Sequence, residues 1–324
     1  LYNREMECME QYPYTVTQMN RIRGGIWCQC EEGNFFLKEY EGSAQRILFI
    51  RQVMLELEAA GFLVDTPVLT KEGEPVGEDS YGKTYTLRSW YTDREISATN
   101  EKEVVLGARL LGKLLRVFSE MPKEDTQEKS LATYGEMVRR KNRELKTISN
   151  FIGKKRQKNE FDMEFRRLFW RFYEQGLQIA EKEAAWETSV GVRYEYSHRD
   201  YTHHNVLVGQ ECAAVVHFDN LGRDSCVADF ALYARKLLEK NQYREELFCA
   251  LFRAFEEEYP LTGVERRQLY LRLAYPSRFL KIVNHYATTR KNHIILRDLE
   301  KLGRLAKQEE ERSRFLAFLE EFVV

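Results

Sequence analysis

The stretch Ser197-His198-Arg199-Asp200-Tyr201-Thr202-His203-His204-Asn205-Val206-Leu207-Val208 concentrates more chemistry than any other part of the chain. It places Asp200 five positions before Asn205 and then runs into an apolar strand. A carboxylate there can accept a proton from an attacking hydroxyl, and an amide oxygen on the same loop can serve as a hard ligand for Mg2+. His198 reads as a packed, hydrogen-bonded organiser of the loop. His203 and His204 read as exposed loop histidines, because two adjacent side chains are poorly disposed to chelate one ion.

Histidine, arginine and aspartate, four residues, asparagine and then an apolar strand is the spacing of a kinase catalytic loop. Its context supports that reading. Lys38 lies on the strand Phe35–Tyr40, ahead of a helix, as a lysine reaching the α- and β-phosphates of ATP would. Gly24-Gly25 falls where a phosphate-covering hairpin would turn, although the full run of three spaced glycines is missing. The helix carboxylate that would anchor Lys38 is left open: Glu58 lies on the apolar stripe of the 44–60 helix and Glu56 opposite it.

Working outward, the first ninety residues read as strands with one helix. Tyr14–Thr17, Gly25–Cys28 and Phe35–Tyr40 alternate around turns, and Ile47, Ile50, Met54 and Leu57 then mark one helical face before Gly61. Two strands follow near Val68–Thr70 and Tyr85–Trp90. Beyond residue 100 the segments 101–119, 132–151, 161–186, 228–258, 263–274 and 277–321 are charged and helically periodic, with short strands only at Tyr194–His198, Val206–Val208 and Ala214–Phe218. The expected fold is α+β and bilobal, of the protein-kinase-like type. A small antiparallel β-sheet N-lobe over 1–91 precedes a larger, mostly helical C-lobe over 92–324, which carries the loop 197–208 and a metal-type segment over 214–230.

The ordered features FLKEY, a helix ending in AAGF, YTLRSWYTDRE, HRDYTHHN and VVHFDN…VADFALYARKLLEK cover nearly the whole chain. Together they resemble the CotS-like spore-coat proteins, within the aminoglycoside and choline phosphotransferase-like branch of the kinase superfamily. In that branch the metal segment usually reads aspartate, phenylalanine and a second acid, with a further Asp-Leu pair about ten residues on. Asp229-Phe230 fits the later pair. That register sets Asp219 at the second acid and His217 at the principal metal aspartate. A neutral imidazole lacks the charge and the hard oxygen that Mg2+ prefers, and a protonated one repels the metal. Asp219 could compensate only by reaching back along an extended segment, across roughly 6–7 Å. Arg199 stands where loops of this branch often have glycine, and Asp229 reads as a structural carboxylate.

The resemblance implies synthesis in the cytoplasm, residence in the spore coat and coat proteins as partners, and histidine at the metal position implies catalysis that is reduced or absent. The alternative is an ATP-dependent phosphotransferase acting on a small-molecule hydroxyl. In it Asp200 is the base, Lys38 and the Gly24-Gly25 turn hold phosphates, and Asn205 and Asp219 hold Mg2+. If the protein is inactive, the resemblance implies no cofactor.

Composition narrows the classes. With 50 basic and 51 acidic residues in 324 the charge is balanced, which counts against a nucleic-acid binder. The interleaved basic run Arg139–Arg143 reads as a solvated face. No apolar run approaches the ~18–20 residues of a membrane span. The opening, LYNREMECME, lacks the apolar core of a signal peptide, though a start at Leu1 leaves upstream residues open. The six cysteines form no CxxC pair and read as structural thiols in a reducing compartment.

Overall fold

Period-two alternation builds the N-terminal sheet. In this computed structural model, which describes residues 3–122, 132–209, 212–289 and 292–323, a short helix α1 (Asn3–Met9) precedes β1 (Val16–Ile22), β2 (Gly25–Cys30) and β3 (Gly33–Glu39). Helix α2 (Ala44–Ala59) follows, then β4 (Leu63–Val64), β5 (Pro67–Val68), β6 (Gly77–Glu78), β7 (Thr84–Ser89) and β8 (Arg94–Glu95). The larger sheet has the order β1-β2-β3-β7-β5, with β6 also on β7, and its pairs are antiparallel.

Register assigns its two faces. Phe35, Leu37, Tyr85 and Leu87 join Cys28 and Cys30 in a core closed by Cys8, Met9 and Tyr12 from the N-terminal segment. Helix α1 is absent from the sequence reading because seven residues carry too little periodicity to register. On the opposite face, Lys38 sits across from Thr86 and Phe36 across from Arg88.

The chain divides into two compact units, Leu1–Gly107 with His198–Gly222, and Ala108–Ser197 with Arg223–Val324. The first unit extends past the boundary read at residue 91 and takes in the loop from His198. The cause is a second, small sheet: β4 pairs in parallel with Ala213–Val215, which pairs with Val206–Val208, which pairs with β8.

The second unit is built from helices with clear start signals. Thr133 with Glu136, Asn159 with Asp162 and Thr262 with Glu265 each form a reciprocal capping box, opening the helices Tyr134–Lys154, Glu160–Trp186 and Gly263–Ala274. The helically periodic segment 228–258 holds two helices, Ala228–Lys240 and Glu245–Glu256, separated at Gln242 and Tyr243 by left-handed backbone. The segment 277–321 is three helices, Ser277–Thr288, Asn292–Lys307 and Glu309–Val323. Phe230 stacks on Phe255 at 4.4 Å in this unit's buried interior. Asp229 accepts a 2.6 Å hydrogen bond from the Ser197 hydroxyl, so it braces the residue just before His198.

All six cysteines are free, and Cys8, Cys28, Cys30 and Cys226 are buried. No helix among the described residues is long and apolar enough to cross a membrane.

Candidate active site

One face of the larger sheet, the small sheet and the loops between them line a cleft of about 760 Å³, all of whose lining residues belong to the first unit. That volume lies in the range of small-molecule sites. Lys38, Asp200, Asn205, His217, Asp219 and Gly24 all border it, and Lys38 meets Asp219 across 181 positions of sequence. Gly25 does not border this cleft; it lines the neighbouring groove behind the hairpin.

The two glycines of the β1–β2 turn have different reasons to be there. Gly24 has φ +85°, open to glycine at no steric cost. At Gly25 a Cβ would meet the Leu37 carbonyl oxygen and the Phe36 ring at 2.6 Å, so this glycine allows two strands to approach closely.

Lys38 Nζ donates to Asp219 Oδ2 at 2.9 Å, and neither Glu56 nor Glu58 pairs with it. Glu58 is exposed and accepts from the Thr66 hydroxyl. The other carboxylate oxygen of Asp219 accepts from Arg88 Nη2 at 2.9 Å, and Arg88 Nη1 reaches Asp65 Oδ2 at 3.2 Å. Asp65 Oδ2 also accepts the His217 backbone N–H at 2.9 Å. Arg46 of α2 donates to the backbone carbonyls of Asp219 and Leu221. Asp65 and Arg88 are almost completely buried, at 0% and 2% side-chain exposure, a state in which charges survive only when paired. Burial by itself would raise the Asp219 pKa, but Arg88 and Lys38 outweigh it and hold the carboxyl below its ordinary value.

The segment expected to be extended between His217 and Asp219 is not. His217 takes left-handed backbone, φ +69°, and Phe218–Asn220 forms a 3-10 turn. This turn brings Asp219 to Lys38. It sets the His217 ring near Phe36 and Trp90, at 5.5 and 5.3 Å between centroids, while Phe36 stacks on Trp90 at 4.5 Å. Burial pushes the imidazole pKa down, against the opposing pull of Asp65 and Asp219, which favours the uncharged ring.

The loop from His198 is organised from within. His198 is buried, its Nε2 lies 3.0 Å from the Val216 carbonyl oxygen, and its ring packs on Phe218 at 4.4 Å. Asn205 Nδ2 donates to the Asp200 backbone carbonyl at 2.8 Å and reaches Asp200 Oδ2 at 3.5 Å, and Asp200 is exposed beside the cleft. Arg199 has φ +62°, a conformation costing a non-glycine residue about 1–2 kcal/mol. The two histidines differ from the sequence reading: His203 is buried, and only His204 is partly open, where it pairs with Glu95.

Divalent metal fits this donor set poorly. Both oxygens of Asp219 are engaged by cations, and His217 offers nitrogen beside aromatic rings. That leaves Asp200 and the Asn205 amide oxygen. Among the described residues no group of three or more histidine, cysteine, aspartate or glutamate side chains is placed to hold a metal ion.

An antiparallel sheet with one long helix, a lysine on its third strand and a loop from His198 to Asn205 that runs into a second sheet define a kinase-like fold, and comparison with solved structures agrees. An aminoglycoside phosphotransferase from Alicyclobacillus acidocaldarius superposes with a TM-score of 0.83 at 17% identity, over 98% of this chain and 96% of that one. A spectinomycin phosphotransferase solved with ADP and spectinomycin gives 0.61 at 16% identity, over 98% and 93% of the two chains. An amicoumacin kinase solved with AMP-PNP and Ca2+ gives 0.60 at 15%, over 97% and 92%. No curated protein matches by sequence. The phosphotransferase enzyme family model matches residues 26–270, and the chain belongs to that family.

Proposed function

We propose that this member of the phosphotransferase family has lost most or all phosphoryl transfer. In this reading it acts as a component of the spore coat, with other coat proteins as partners, after synthesis in the cytoplasm. The coat role rests on the resemblance to CotS-like proteins. The loss of catalysis rests on one observation: Asp219 is tied by Lys38 and Arg88, while an imidazole, His217, falls where the register of the resemblance expects the principal metal aspartate. Phosphoryl transfer depends on metal ions that neutralise charge developing on the phosphates, so a cleft that cannot hold them loses its main source of rate.

Asp200, Asn205 and Lys38 in one cleft favour a second reading, an active ATP-dependent transferase acting on a small-molecule hydroxyl. Isothermal titration with ATP, with and without Mg2+, separates the two. The first reading expects no Mg2+-dependent binding in the native chain and its appearance in His217→Asp. Tight Mg2+-dependent binding by the native chain, with turnover abolished in Asp200→Asn, would establish the second.

A further inference from the structure

The basic run Arg139–Arg143 is only in part the solvated face that its charge suggests. Arg139, Arg140 and Arg143 are exposed, whereas Lys141 is half-buried within the second unit, its Nζ over the Tyr275 ring at 5.2 Å. Tyr134, seven residues before Lys141, lies on the same face of the helix Tyr134–Lys154. Arg272 sits over the Tyr134 ring at 4.8 Å, so two cations rest on two aromatic faces. The hydroxyls of both tyrosines are occupied, Tyr134 donating to the Leu271 carbonyl and Tyr275 to Asn142 Oδ1.

Charge around Lys141 is unbalanced. Burial, helped by Arg272, Arg235 and Arg140 and opposed by Asp224, pushes its ammonium pKa down to about 8. Asp224 is already bound to Arg272 at 2.9 Å, and Glu239 is shared by Arg235, at 2.7 Å, and Arg278, at 3.9 Å. The other acids near this cluster are engaged elsewhere. Glu136 caps its own helix at Thr133, Glu144 accepts from Asn284, and Glu183 accepts from Ser189. Among the described residues Lys141 Nζ has no hydrogen-bond or ion-pair partner. A cation drawn out of water without a counter-charge is costly, and a ring face offsets only part of that cost.

Donors are also left over. Arg272 commits Nη2 to Asp224 and Nε to Gln268, and Arg235 commits only Nη1, to Glu239. These bonds fix both guanidiniums, which keep 12% and 18% side-chain exposure and so remain within reach of a solute.

We propose that Lys141, Arg235 and Arg272 form a binding site for a small oxyanion, a phosphate or carboxylate group, in the helical unit. None of the three lines the cleft around Lys38, so the site stands whether or not the chain transfers phosphate.

Calorimetric titration of the full chain with sodium phosphate, sulfate and acetate tests it, at pH 8 and at constant ionic strength set with chloride. Phosphate or acetate should saturate one site, and the tighter of the two identifies the group that the site takes. Lys141→Gln should weaken that binding by about ten-fold or more. It removes an uncompensated cation, so its stability to urea should be no lower than native. A bound anion restores the charge on Lys141. Sulfate, which does not titrate here, should therefore draw about half a proton per site from the buffer at pH 8 and almost none at pH 6. Lys141→Arg, permanently charged, should bind without that uptake. No saturable binding by any of the anions, equal affinity in Lys141→Gln, a marked loss of stability in that variant, or binding without proton uptake in the native chain would overturn the inference.

Discussion

His217 shows how much one substitution depends on its surroundings. Its imidazole has a depressed pKa because burial disfavours the charged form more than Asp65 and Asp219 favour it. The folded chain therefore binds this proton less readily than the unfolded one, whose histidine titrates near 6.5. Its contribution to stability is complete above that value and is lost as pH falls towards the lower, folded pKa. Between pH 7 and 5 the stability of the native chain should fall more steeply than that of His217→Asn, which keeps a residue tolerant of left-handed backbone. The difference is limited to about 1.4 kcal/mol per pH unit for one proton. Urea titrations across that range measure it, and parallel slopes for the two proteins would sink the idea. The position itself was legible from the spacing of Asn205, Asp219 and Asp229. Its left-handed backbone was not, because an apolar run ending in histidine gives no signal of a turn.

At the level of elements, the charged chain Lys38–Asp219–Arg88–Asp65 ties β3, β7 and the segment after β4 to the 217–221 turn. Removing one member strands a buried charge, which is far costlier than losing an exposed ion pair. Asp65→Ala should cost about 3–5 kcal/mol in chemical denaturation, because Arg88 has 2% side-chain exposure and nowhere to be solvated. A loss below about 1 kcal/mol would show that the Arg88–Asp219 contact alone suffices. The strands, the long helix and the loop could be read because their signals are local. Arg88 and Asp65 were missed, although an arginine inside the alternating run Tyr85-Thr86-Leu87-Arg88 was a usable hint. Their partners lie 131 and 23 positions away, and no periodicity reports such a distance. The same limit left Lys38 without a partner, although both it and Asp219 had been singled out.

For the molecule as a whole, 50 basic and 51 acidic residues leave almost no net charge near the isoelectric point of 6.7. Self-repulsion is then weakest, so solubility and the second virial coefficient should pass through a minimum near pH 6.7. Light scattering from pH 5 to 9 reads this directly, and a steady trend across that range would refute it. The cysteines carry a different consequence. Burial pushes the Cys8 and Cys28 thiols up to about 12, mainly by excluding water from the core beneath the larger sheet, whereas Cys212 is exposed. An alkylating reagent should therefore modify Cys212 first and reach Cys8 and Cys28 only as that core opens. The labelling rate of these two thiols is thus a built-in clock for the excursions of the sheet that carries Lys38.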